Sequence, residues 1–100
     1  MKVIFLNCTN LDFESNGDRI KGTQLKFIEK QIKNDTVSYV PGKQWIKAEA
    51  IELVKKANSL IPGQVVNLEY SLDGKNVIFT GINPTDDVAV DFDKIFKERS

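Results

Sequence analysis

Apolar positions change period twice along the chain. Residues 2–13 open on the run Val3-Ile4-Phe5-Leu6 and continue with Cys8, Leu11 and Phe13. Val3, Phe5, Leu11 and Phe13 share one parity, and Ile4, Leu6 and Cys8 the other. A strand that starts apolar on both faces is central in a sheet or strongly coiled. Ser15-Asn16-Gly17-Asp18 predicts a tight hairpin, because Asn-Gly supplies the positive φ angles such turns need. The next strand covers about 19–33, with Leu25 and Phe27 on one side and Gln24, Lys26, Ile28, Lys30 and Ile32 on the other. Asn34-Asp35 turns the chain into a short strand, Thr36–Val40, closed by Pro41-Gly42.

From about Lys43 the spacing becomes helical. Ile46, Ala50, Leu53, Val54, Ala57 and Ile61 recur every three or four residues, and Glu52 and Lys56 form a favourable i,i+4 pair on the opposite side. Ser59 and Pro62-Gly63 end this helix, since proline disfavours the α conformation in the residue before it. Period two returns over Gln64–Ile82, where Val66, Leu68, Tyr70 and Leu72 precede a turn at Asp73-Gly74 and the strand Val77-Ile78-Phe79. That turn predicts Tyr70 opposite Val77 and Leu68 opposite Phe79, with both aromatic rings in the core. Asn83-Pro84-Thr85-Asp86-Asp87 reads as a turn, and Asp91–Ser100 as a short helix carrying Phe92, Ile95 and Phe96.

The order strand, strand, short strand, helix, strand, strand is that of the OB fold, a partly open five-stranded Greek-key barrel. The expectation is therefore a mainly β domain with one central helix, of OB type, over residues 1–83. Residues 84–100 would add an acidic turn and short helix. The alternative is an open α+β sheet with one packed helix. Long N-terminal strands and a single mid-chain helix favour the barrel.

Composition narrows the chemistry. Apolar residues make up 41% of the chain, enough to bury a core. There is no histidine and only one cysteine, which removes the commonest general base, zinc sites and the Ser-His and Cys-His pairs. No enzyme and no cofactor are expected. A lone thiol and the absence of a long apolar run fit a cytoplasmic protein without a membrane partner. The formal charge is zero, 14 basic against 14 acidic residues, so any polyanion site must come from local segregation. Residues 15–47 supply it: Arg19, Lys21, Lys26, Lys30, Lys33, Lys43 and Lys47 stand against Asp18, Glu29 and Asp35. Basic side chains track a phosphate backbone and aromatic faces stack bases. The candidate nucleic-acid-binding residues are thus Arg19, Lys21, Lys26, Lys30, Tyr39, Lys43, Trp45 and Lys47, with Phe13 as a further ring. The competing reading is a solvated face whose lysines protect edge strands. Asp86, Asp87, Asp91 and Asp93 lack the spacing of a calcium loop and read as a solvated acidic segment able to fold back on the basic face.

Pro62-Gly63 followed by Val65-Val66-Asn67-Leu68-Glu69-Tyr70, Asp73-Gly74-Lys75 and Val77-Ile78-Phe79 resembles the closing half of small single-stranded-DNA-binding proteins of phages and mobile elements. Lys2–Phe13, Asn16-Gly17 and Lys21–Lys33 are similar to their first half. The resemblance implies sequence-tolerant binding of single-stranded DNA during replication or transfer; it leaves the oligomeric state open, although such small binders often need two or more copies to cover a strand. It departs from bacterial single-strand-binding proteins at Glu98-Arg99-Ser100, where those carry an acidic-Pro-Phe tip. The other functional class is a protein-interaction module or phage-type inhibitor acting on a host protein.

Overall fold

A computed structural model describes residues 1–96 of the chain. Its elements are β1 (Lys2–Ser15), β2 (Asp18–Lys33), β3 (Thr36–Lys47), α1 (Ile51–Asn58), β4 (Gln64–Asp73), β5 (Asn76–Val88) and α2 (Phe92–Phe96). The strands form one antiparallel sheet in the order β3-β2-β1-β4-β5. The architecture is mainly β, an open five-stranded sheet with a short helix packed on it. Among the described residues no helix is long and apolar enough to cross a membrane.

Turn chemistry builds the meander β1–β2–β3. Asn16 and Gly17 adopt φ of 54° and 83°, and Asn34 and Asp35 adopt 51° and 62°. Both are two-residue turns whose twist matches the flanking strands. β1 is central, with β2 on one side and β4 on the other. A bulge at Leu6 shifts its phase, since Phe5 faces Phe27 but Asn7 faces Lys26. Val3, Phe5 and then Cys8 therefore point to the core, whereas Leu11 and Phe13 turn to the opposite face rather than joining Val3 and Phe5.

The expected end of the third strand at Pro41-Gly42 is not observed. β3 runs through both residues to Lys47, and Lys43–Lys47 is strand rather than helix. Proline is tolerated because β3 is an edge strand. Gly42 is required because its missing Cβ would lie 2.5 Å from the Phe27 ring. The helix begins only at Ile51, and Ile61 is 58% exposed instead of completing the apolar stripe. Ala57, Leu60, Leu53 and Val54 still pack on the sheet, joining Val3, Phe5, Leu25, Phe27, Ile46, Val66, Leu68 and Ile82 in one core. The Ser59 hydroxyl donates to the Lys56 carbonyl at 2.8 Å, which helps close the helix.

The β4–β5 register also departs from expectation. The turn residues are Gly74 and Lys75, so Leu72 faces Val77 and Tyr70 faces Phe79. Gly74, φ 63°, takes the first central position, as glycine does in a II′ turn, in place of the second position of a I′ turn. Thr80 is an extra residue on β5, so Leu68 faces Ile82 rather than Phe79. β5 then continues through 83–87, where a turn was expected. The Thr85 hydroxyl donates to the Val65 carbonyl at 2.7 Å and ties this stretch to β4. The Ala89 N–H donates to the Gly63 carbonyl at 2.9 Å, and at Gly63, φ +92°, an added Cβ would stand 1.7 Å from the Val90 oxygen. α2 retains part of the expected terminal helix, and residues 97–100 lie outside the described residues.

Candidate nucleic-acid interface

Strand alternation sorts the eight candidate residues into two groups. Thr23, Leu25 and Phe27 of β2 are buried, so its odd positions face the core and its even positions face outward. Residues paired across an antiparallel ladder share a face. The outer face therefore carries Lys30 opposite Tyr39, Lys26 opposite Lys43, Gln24 opposite Trp45, and Gly22 opposite Lys47. Six of the eight candidates lie together here. No carboxylate occupies an outer position of β2 or β3 between Ile20 and Lys47. Asn7, Thr9, Leu11 and Phe13 of β1 extend the surface on the far side of β2.

Arg19 and Lys21 do not join it. They occupy odd positions on the opposite face, where Lys21 pairs with Asp12 and Arg19 with Glu14. The Arg19 Nε and Nη2 atoms donate to the two Asp12 carboxylate oxygens at 2.7 and 3.0 Å. That bidentate contact holds the Asp12 carboxyl below its ordinary range. It is the single ion pair among the described residues, so Lys26, Lys30, Lys43 and Lys47 have no carboxylate partner among them.

One feature of the outer face runs against simple packing economy. Lys26 and Lys43 stand directly opposite one another, an arrangement that destabilises a sheet unless an anion sits between them. Pro41, Gly42, Phe27 and Leu6 border a depression of about 390 Å³ beside this pair. The Trp45 ring lies across Gly22, whose ideal Cβ would be 2.3 Å from Cζ2. Trp45 is thus half-buried at the end of β3, not at the start of the helix as its sequence neighbours suggested. Tyr39 is 66% exposed beside Lys30. Trp45 and Tyr39 are six residues apart on one strand face, about 20 Å at the usual rise.

Sequence reasoning missed the gap between the two sheet edges. β3 and β5 flank a cleft of about 320 Å³ lined by Trp45, Ile46, Ala50, Leu53, Val77 and Phe79, among others. The Tyr70 hydroxyl donates across the gap to Gln44 Oε1 at 2.9 Å, and its ring lies 5.3 Å from that of Phe79. Partial burial, and secondarily Glu29, push the Tyr70 phenol above its ordinary value. Tyr70 is 37% exposed and Phe79 only packs against the core, so neither is the core aromatic expected of it. The even spacing of Tyr70 with Val66 and Leu68 concealed this, because the face they share continues past the end of the core.

At the other end of the sheet the buried Thr23 hydroxyl donates to Asn10 Oδ1 at 2.7 Å, and Asn10 and Asn58 exchange amide hydrogen bonds. This network seats α1 on β1. Among the described residues no group of three metal-ligating side chains converges. Comparison with family models, with curated proteins and with solved structures returns no match.

Proposed function

We propose that the outer face of β2 and β3 binds single-stranded DNA without sequence preference and without catalysis. The observation that carries this reading is the gathering of Lys26, Lys30, Lys43, Lys47, Tyr39 and Trp45 on one face that holds no carboxylate between Ile20 and Lys47. The facing ammonium groups of Lys26 and Lys43 receive a phosphate, which relieves their repulsion. Lys30 and Lys47 contact the backbone on either side. Trp45 and Tyr39 offer base-stacking surfaces at the two ends, each worth about 1–3 kcal/mol. Every base has a π face, so the platform is indifferent to sequence.

The fold reading that accompanies this is an OB-type barrel open between β3 and β5. A meander β1–β2–β3 with β4 and β5 on the other side of β1 brings its two edges toward each other as the sheet coils. The Tyr70–Gln44 hydrogen bond supports that reading, because it links edge strand β3 to β4 on the other side of β1.

Titration with oligo-dT at low salt tests the site directly, since Trp45 is the chain's only tryptophan. Binding is expected to quench its fluorescence, and Tyr39→Ala to weaken binding by roughly 5–150-fold, the equivalent of one lost stacking contact. Absence of any complex at micromolar protein and low salt defeats the proposal.

A further inference from the structure

The two edges of the sheet are protected unequally. β3 carries Lys43, Lys47 and a mid-strand Pro41, the usual devices against edge-to-edge pairing. β5 has no lysine or other charge over most of its length. From Asn76 to Thr85 it contains no charged residue, and Pro84 is its one proline. Val77 and Ile78 line the open cleft toward β3 yet are 64% and 43% exposed, and Leu72 opposite Val77 is 77% exposed. A long, uncharged edge with exposed apolar side chains is a template for another strand.

What pairs with it follows from its own sequence. The uncharged stretch is bracketed by Lys75 at one end and Asp86 at the other. When two copies of β5 run antiparallel about a two-fold axis at the Thr80–Gly81 peptide, Lys75 of each copy meets Asp86 of the other. The extra residue at Thr80 makes this register consistent with the faces. Val77, Phe79, Ile82 and Pro84 all lie on the core side, because they face Leu72, Tyr70, Leu68 and Val66. In the proposed register Phe79 faces Ile82 of the second copy and Val77 faces Pro84, core side to core side, while Ile78 faces Asn83 on the outer side. Without the extra residue the same centre would set each core-side position against an outer one. Two independent properties, charge and phase, therefore select one register. We infer that the chain forms an isologous dimer by antiparallel pairing of β5 with β5 of a second copy, latched at each end by a Lys75–Asp86 pair.

Charge exchange tests this in the full chain without DNA, so the outcome does not depend on the DNA-binding reading. Sedimentation equilibrium is expected to show a dimer. Lys75→Asp and Asp86→Lys each place like charges at both ends and weaken association by about tenfold or more. The double variant K75D/D86K restores opposite charges and returns the dimer. Both positions are exposed, at a turn and at a strand end, and far-UV circular dichroism checks that each variant keeps the sheet. A monomeric wild type overturns the inference. So does a dimer that neither single variant weakens, or single-variant losses that the double variant fails to recover.

Discussion

Replacing Lys43 by Gln distinguishes the outer-face site from any other arrangement of the same charges. For single strands, log K falls with log salt by about 0.7 per neutralised phosphate. The four outer lysines then give a slope of about 2.8, or about a 50-fold loss of affinity between ~50 and ~200 mM salt. Had Arg19 and Lys21 contributed as well, six contacts would give a slope of about 4.2 and about a 300-fold loss. Lys43→Gln leaves three contacts, a slope of about 2.1 and a loss of about 20-fold over the same range. Arg19→Gln is expected to leave the slope at the wild-type value, since its guanidinium is held by Asp12 on the other face. The assay is fluorescence titration with oligo-dT at several salt concentrations, with urea unfolding in parallel. Because Lys43 stands directly opposite Lys26, its removal should not destabilise the sheet and can add up to ~0.5 kcal/mol. Weaker, less salt-dependent binding by an equally stable protein is thus the expected pairing of results. A Lys43→Gln slope equal to wild type, or an Arg19→Gln slope lowered as much, refutes the assignment of phosphate contacts to this face.

Gly22→Ala brings a Cβ within 2.3 Å of the Trp45 ring and 2.7 Å of the Ile46 carbonyl oxygen, and should cost about 1–3 kcal/mol. Displacement of the ring from its seat predicts a red-shifted tryptophan emission, and an unaltered spectrum and stability would contradict that seat. Ile82→Ala removes a fully buried side chain, 0% exposed, from the centre of β5 and is expected to lower the unfolding free energy by about 2–5 kcal/mol in urea titration. Cys8 sits beside the Ala57 carbonyl, 3.5 Å from Sγ, and burial raises its thiol above the ordinary value. At neutral pH the native protein should therefore react with a disulfide reagent more slowly than the urea-unfolded chain, with the rate climbing as pH rises; equal rates would place the thiol in open solvent.

Local rules revealed whatever depended on local geometry. Asn16-Gly17 and Asn34-Asp35 announce their turns because few residues adopt positive φ cheaply, and Leu25 and Phe27 announce the buried face of β2 because nothing interrupts its alternation. Where one residue serves two patterns, the sequence is ambiguous. Ile46 completes a helical series with Ala50, Leu53 and Val54, yet it is equally the last core position of β3, opposite Thr23. Pairing with β2 decided the outcome, and propensity had no part in it. Asp73-Gly74-Lys75 offers Gly74 as either central residue of a turn, and the choice shifts every pair of the β4–β5 hairpin.

The candidate site was legible to the same extent as the strands that display it. Lys26, Lys30, Tyr39, Lys43, Trp45 and Lys47 can be found from composition, but that they share a face depends on β3 running unbroken through Pro41-Gly42, a dipeptide that ordinarily ends a strand. Gly42 is present because Phe27 occupies the space of its side chain, and Pro41 is admitted because the strand has no neighbour beyond it. The edge position of β3 is therefore what allows the proline, and the extended β3 is what aligns Tyr39 with Lys43 and Trp45. Arg19 and Lys21 show the converse. They lie on a strand predicted with nearly correct bounds, and alternation alone sends them to the face where Asp12 waits. A basic cluster in sequence becomes a basic surface only for the residues whose parity agrees, and on this chain parity retains four of the six candidate cations.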